Sequence, residues 1–364
     1  MIELVKIYNY KSIKKLVLPL NKINVLIGSN GVGKSNFISF FELAKAIIAK
    51  RFGVYTLEKG GIDNLLYRTR LESDYIKGLL DFDNTNAFFF ELCPAQSNKG
   101  FIRLTGDFFN TYKNKTKDYS SWNKTTWDSA VEESALLDNH KWRAEYIKNH
   151  FDSFNVYHFH DTSSKSPMRG ECEINDNTSL RNNGSNLAAY LYYLQKTDEI
   201  GFRLIEGVIK SVAPYFKQFK LRPNPTNLSK ISLEWEEYNT DMYLNGYSFS
   251  DGTLRFIALA TLLLQTKTPK VIIIDEPELG LHPTAINKFA EMVKRVSHKS
   301  QVIISTQSTN LVNCFEPEDI IVVDRKDEQS VFNRLSSDNL SVWLDDYNYT
   351  LSDIWEKNII GGQL

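Results

Sequence analysis

The sequence predicts an α/β fold with a mostly parallel core sheet, an antiparallel N-terminal β-subdomain and a small inserted helical arm. Three observations carry this. Residues 28–35 read Gly28-Ser29-Asn30-Gly31-Val32-Gly33-Lys34-Ser35, between an apolar strand (Ile23, Val25, Leu26, Ile27) and a helix that begins by Asn36. Val271-Ile272-Ile273-Ile274-Asp275-Glu276-Pro277 is an apolar run ending in two carboxylates, the pattern of a buried parallel strand. Between them, Ser250-Asp251-Gly252-Thr253 opens an apolar helix.

The first run is a full G-x-x-x-x-G-K-S phosphate loop in its strand–loop–helix context. Gly31 and Gly33 allow φ values that other residues avoid, so successive N–H groups can point at one anion. The helix N-terminus adds partial positive charge. Lys34 reaches the β- and γ-phosphates, and the Ser35 hydroxyl ligates Mg²⁺. The expected ligand is ATP, held by Gly28, Asn30, Gly31, Gly33, Lys34, Ser35 and Asn36.

Ligands of open α/β sheets sit beyond the carboxyl ends of the strands. Asp275 is therefore expected to hold Mg²⁺ together with Ser35. Glu276 is placed to orient the attacking water, with Lys34 neutralising charge. Gln301 to Thr306 reads as the next parallel strand, and Gln307 follows it as a third catalytic candidate. Its amide can hydrogen-bond a phosphate but cannot carry a proton.

The remaining elements follow in order. Residues 1–27 alternate as two strands around a turn, where Tyr10 or Lys11 is either a base contact or an ordinary turn residue. Residues 60–105 carry further strand-like runs, and Gln96 lies in a stretch that reads equally as a plain turn. Residues 105–153 are polar and aromatic, with a helix expected over 126–150; this is the inserted arm. Three segments result: 1–104, 105–153 and 154–364. On an extended segment His158 and His160 share a face and offer either a metal seat or a strand-end network near the nucleotide. A helix over 201–216 and strands over 231–235 and 242–247 lead to Ser250. Trp343 and Trp355 in the tail are read as core residues or as a dock for a partner.

Composition narrows the class. The chain has 364 residues, 42% of them hydrophobic, and a formal net charge of −1. That excludes a wholesale polycation, so double-stranded DNA could be met only through a local patch. Candidates are Lys113, Lys115 and Lys117, or Lys210, Lys217, Lys220 and Arg222. Three scattered cysteines, Cys93, Cys172 and Cys314, form no disulfide framework and suit a reducing cytoplasm. The N-terminal Met-Ile-Glu-Leu reads as a strand and not as a leader, and no apolar run is long enough for a membrane span.

Ser250 to Arg255 resembles the signature motif of ABC-type ATPases, in which a serine hydroxyl and glycine amides grip ATP held by a second subunit. With Tyr157-His158-Phe159-His160-Asp161-Thr162-Ser163, Asn186-Leu187-Ala188, Glu278-Leu279-Gly280-Leu281-His282-Pro283 and Trp355-Glu356-Lys357-Asn358, the chain resembles the SMC/RecF/OLD-type branch of ABC ATPases. The resemblance is strongest to stand-alone bacterial ATPases related to OLD proteins. It implies an ABC-type P-loop head that forms a homodimer through the ATP site, with Ser250 and Gly252 reaching the partner's nucleotide. Gln307 stands where many relatives carry a switch histidine. The TOPRIM nuclease domain that OLD proteins append would need roughly a hundred residues, so an effector subunit, nuclease or toxin, is expected as a separate chain. The implied roles are an antiphage sensor or scaffold, a RecF-like DNA-repair clamp, or a mainly structural ATP binder.

Overall fold

The computed structural model describes residues 1–83, 85–95, 98–110, 119–238 and 242–362. They form two compact units: Met1–Phe154 with Glu316–Leu364, and Asn155–Phe315.

The first unit is built on a six-stranded antiparallel sheet in the order Ile13–Pro19, Ile2–Tyr10, Ile76–Phe82, Asn86–Pro94, Gly100–Phe109, Asn123–Val131. Its turn at Lys11 uses positive φ. Ile23–Ile27 is buried at every position and pairs in parallel with Ile320–Lys326, as a strand covered on both faces must be. Ile320–Lys326 pairs antiparallel with Gln329–Arg334. The helix Lys34–Ile48 buries Phe37, Phe40, Phe41, Ala44, Ile47 and Ile48, a stripe at helical spacing. Phe40 stacks on Phe90 with ring centroids 5.6 Å apart. Gly78 makes that packing possible, because a Cβ there would stand 2.3 Å from the Phe90 ring and 2.6 Å from Phe40.

The stretch expected as a helix over 126–150 divides otherwise. Asn123–Val131 is a strand on Gly100–Phe109, and the helix is Trp142–Asp152. The strand lies at the sheet edge with mostly exposed or half-buried residues, so no hydrophobic alternation marked it.

In the second unit Val271–Asp275 pairs in parallel with Gln301–Thr306, residue for residue from Val271 opposite Gln301 to Asp275 opposite Ser305. Phe154–Tyr157 flanks Val271–Asp275 on its other side. The helix Asp251–Leu264 is buried at every position from Leu254 on, and Pro283–Val296 is amphipathic with proline in its first turn. Two small antiparallel sheets complete the unit. The helix predicted over 201–216 is Glu199–Val212, which gives way to the strand Phe216–Phe219. Among the described residues no helix is long and apolar enough to cross a membrane.

Candidate functional site

The phosphate loop belongs to the first unit. Gly31 has φ 80° and Gly33 φ 115°, the left-handed values anticipated from the sequence. Among the described residues the N–H groups of Gly31, Val32 and Gly33 have no partner within the chain. Such a fan of unpaired amides at the start of a helix is suited to phosphate oxygens. Lys34 is buried, and its Nζ donates to the carbonyls of Gly28 (2.6 Å) and Ser29 (2.9 Å). Those bonds hold the ammonium within the loop. Asn30 and Ser35 are exposed, and Asn36 is half-buried.

Two serines outside the motif brace this loop. Ser330 Oγ donates to the Val32 carbonyl and lies 2.6 Å from Ser12 Oγ. Ser12 Oγ also accepts from Asn36 Nδ2 at 2.7 Å. Gly33 must be glycine for a second reason, since a Cβ would stand 2.1 Å from Ser330 Oγ. On the far side, Ser29 N–H donates to the Gly362 carbonyl at 2.7 Å. Tyr10 is fully buried and shares a hydroxyl network with Ser39 and Tyr55, which makes it a core residue. Lys11 donates to Ser39 at 2.8 Å, and burial pushes its ammonium down to about 8.

The acidic strand belongs to the second unit. Asp275 is buried, and its Oδ1 accepts from Ser305 Oγ across the parallel pair. Its main-chain carbonyl accepts from His160 Nε2 at 2.7 Å. Glu276 has φ 42°, a left-handed value costly for a glutamate and characteristic of functional sites. Its N–H donates to the Ser305 carbonyl, and its Oε1 accepts from Gln307 Nε2 at 2.5 Å. Glu278 is buried, and Oε1 accepts from Thr306 Oγ1 (2.6 Å) and from the Gln307 N–H (3.0 Å). Burial raises its carboxyl above the usual range against those two bonds. Gln307 thus ties both glutamates. Exposed Ser35 and the carboxylate of Asp275 each offer the oxygen that a hard cation such as Mg²⁺ prefers.

Ser250 caps the helix Asp251–Leu264, its Oγ accepting from the Thr253 N–H at 3.1 Å. The turn before it is pinned by Arg169, a buried guanidinium that sequence reading missed. Arg169 donates to the carbonyls of Thr162 (2.9 Å), Gly246 (2.7 Å) and Phe249 (2.9 Å) and to Asp251 Oδ1 (2.6 Å). No motif marks it; only its partners, Thr162 and the stretch 246–251, reveal it. Arg255, on the same helix, donates to the carbonyls of Phe159 and His160, both at 2.9 Å. The signature helix is therefore bonded to the segment whose His160 holds Asp275.

Gly252 packs on the loop after the acidic strand. A Cβ there would stand 2.3 Å from the Gly280 carbonyl oxygen. Gly252→Ala is expected to destabilise the protein by about 1–3 kcal/mol. Gly207→Ala, where a Cβ meets nothing within 4 Å, should instead stabilise its helix by about 0.5–1 kcal/mol. Denaturant unfolding of the two variants side by side checks the contrast; equal effects would refute the close approach.

Other candidates are not assembled into a site. Lys217 and Lys220 both reach Glu236 (3.6 and 3.1 Å), and Arg222 pairs with Glu234 at 3.2 Å, so much of that basic patch is neutralised. Lys113, Lys115, Lys117 and Gln96 lie outside the described residues. Trp355 is buried, whereas Trp343 is half-buried and stacks against Tyr349 with centroids 6.1 Å apart.

Solved structures share this fold. An Smc head bound to the C-winged helix domain of ScpA superposes with a TM-score of 0.61 at 17% identity, over 93% of this chain and 99% of that one. An Smc head with an extended coiled coil, bound to the C-terminal domain of ScpA derived from Pyrococcus furiosus, gives 0.56 at 16%, over 96% and 99%. The Old nuclease of Escherichia phage P2 is 29% identical over 158 residues, 38% of this chain; the match spans only 27% of that protein's length. Fold and motifs together define an SMC/OLD-type ABC ATPase. The chain belongs to the family described as "AAA domain, putative AbiEii toxin, Type IV TA system", whose model matches residues 110–313, more than half of its length.

Proposed function

We propose that this protein is an Mg²⁺-dependent ATPase that dimerises head to tail around ATP and controls a separate nuclease or toxin subunit in cytoplasmic antiphage defence. The observation that carries the reading is the phosphate loop, with its unpaired amides and its ammonium held in place. The likeness to the Old nuclease and the family's toxin–antitoxin description support the effector.

In this reading the amides of Gly31, Val32 and Gly33 hold phosphate oxygens, and Lys34 neutralises the charge that builds on the transferred group. Ser35 and Asp275 would hold Mg²⁺, which would supply positive charge to screen the phosphates. Glu276 orients the water, kept in position by Gln307 Nε2. Exposed Ser250 and half-buried Gly252 are presented to the nucleotide of a second copy. Closure thus draws on ATP binding and relaxes on hydrolysis.

The test is a native pull-down of the chain from cells that carry its genomic neighbourhood, with ATP present, alongside Lys34→Ala. Recovery of a stoichiometric nuclease or toxin-like protein with the parent only is expected. A chain recovered as a bare dimer, or one that binds DNA and no protein, would instead favour a repair clamp.

A further inference from the structure

His158 and His160 come from the segment after Phe154–Tyr157, and Asp275 from the end of the acidic strand. In the folded unit one ring nitrogen of each histidine and a carboxylate oxygen of Asp275 all lie within 4.8 Å of one another. It is the one such His, Cys and carboxylate group found among the described residues. The chemistry of the set differs from that expected of an ATP-bound Mg²⁺. Mg²⁺ seeks oxygen ligands and retains water, whereas two imidazoles and a carboxylate suit Zn²⁺ and its first-row neighbours.

The surroundings are built as a metal's outer shell is built. A carbonyl can only accept, so the His160–Asp275 hydrogen bond places the imidazole proton on Nε2 and leaves Nδ1 as the lone-pair nitrogen. Ser305 holds Asp275 Oδ1, which orients the carboxylate. Arg255 fixes the carbonyls of Phe159 and His160, and the His158 N–H donates to the Asn182 carbonyl at 2.8 Å. Both histidines are half-buried, within reach of solvent. Ligands around a tetrahedral zinc at 2.0–2.1 Å stand about 3.4 Å apart.

We propose that His158, His160 and Asp275 form a binding site for a divalent transition-metal cation of the Zn²⁺ type. The site shares Asp275 with the ATPase reading above and rests on that reading only for its consequence. A cation held here withdraws Asp275 from Mg²⁺ and so lowers ATP turnover.

Nucleotide-free protein titrated with Co²⁺, followed by its visible d–d bands, tests the site directly. One equivalent is expected to saturate, and a hundredfold excess of Mg²⁺ should leave the bands in place. His158→Gln and His160→Gln should each weaken Co²⁺ by more than about 100-fold, since loss of an outer-shell partner alone costs about 10–100-fold. Glutamine at 160 can still donate to the Asp275 carbonyl, so the fold is preserved. Lys34→Ala should bind Co²⁺ as the parent does. The proposal is overturned if no saturable bands appear, if Mg²⁺ displaces Co²⁺ at comparable concentration, or if the histidine variants titrate like the parent. The Mg²⁺ competition needs no variant, so it decides the matter even if a substitution unfolds the chain. ATP binding measured on the same preparation separates failure of this site from failure of the ATPase reading.

Discussion

Glu276→Gln is expected to retain ATP but turn it over about 10²–10⁴-fold more slowly, the range contributed by a positioned general base. The geometry explains why the fold should tolerate the change. Glutamine keeps Oε1, so Gln307 Nε2 can still donate to it. It also keeps the backbone at the same left-handed φ, so the strain there is unaltered. What disappears is the charge that draws a proton from water. The variant should therefore accumulate as an ATP-filled dimer, about twice the 41.9 kDa of one chain by light scattering, while its thermal midpoint without nucleotide stays at the parental value. Turnover at the parental rate would show that Glu276 does not orient the water, and would leave Glu278 as the next acid to examine.

Lys34→Ala acts at the earlier step. The ammonium is buried with two carbonyl partners, so it is already in position before nucleotide arrives. A hydrogen bond to a charged group contributes about 1.5–3 kcal/mol, and each 1.4 kcal/mol is tenfold in affinity. With two phosphates gripped, ATP affinity should fall by at least about 100-fold, read by calorimetric titration. The same change leaves the Gly28 and Ser29 carbonyls without that donor, at a cost of about 1–3 kcal/mol. A thermal melt of the nucleotide-free protein separates the two effects. Binding within threefold of the parent would remove Lys34 from the nucleotide site. Lys34→Ala should also abolish ATP-dependent dimerisation, whereas Glu276→Gln should enhance it; the opposite signs distinguish binding from hydrolysis.

The phosphate loop was readable from the chain because every part of it is local. Glycines at 31 and 33, an apolar strand before them and a helix after them lie within one short segment, and the backbone geometry follows from those residue types. The acidic strand was equally plain, since five consecutive buried positions need a continuous apolar run. The edge strand Asn123–Val131 was not, because its identity comes from pairing with Gly100–Phe109 and not from any pattern of its own. Arg169 and Ser330 were invisible for a related reason. A buried arginine or serine looks like a surface one until its partners, dozens or hundreds of positions away, are brought to it.

The sequence by itself determined the fold class, the phosphate loop, the two carboxylates after Ile274 and the serine cap of the signature helix. These rest on backbone conformation and hydrophobic period within single segments. Only the tertiary structure decided that His160 would bond to Asp275, that Gln307 would join Glu276 and Glu278, and that Ser12 and Ser330 would brace the phosphate loop. Those contacts join residues far apart in the chain. Packing chooses among the many partners that the same polar side chains could have had.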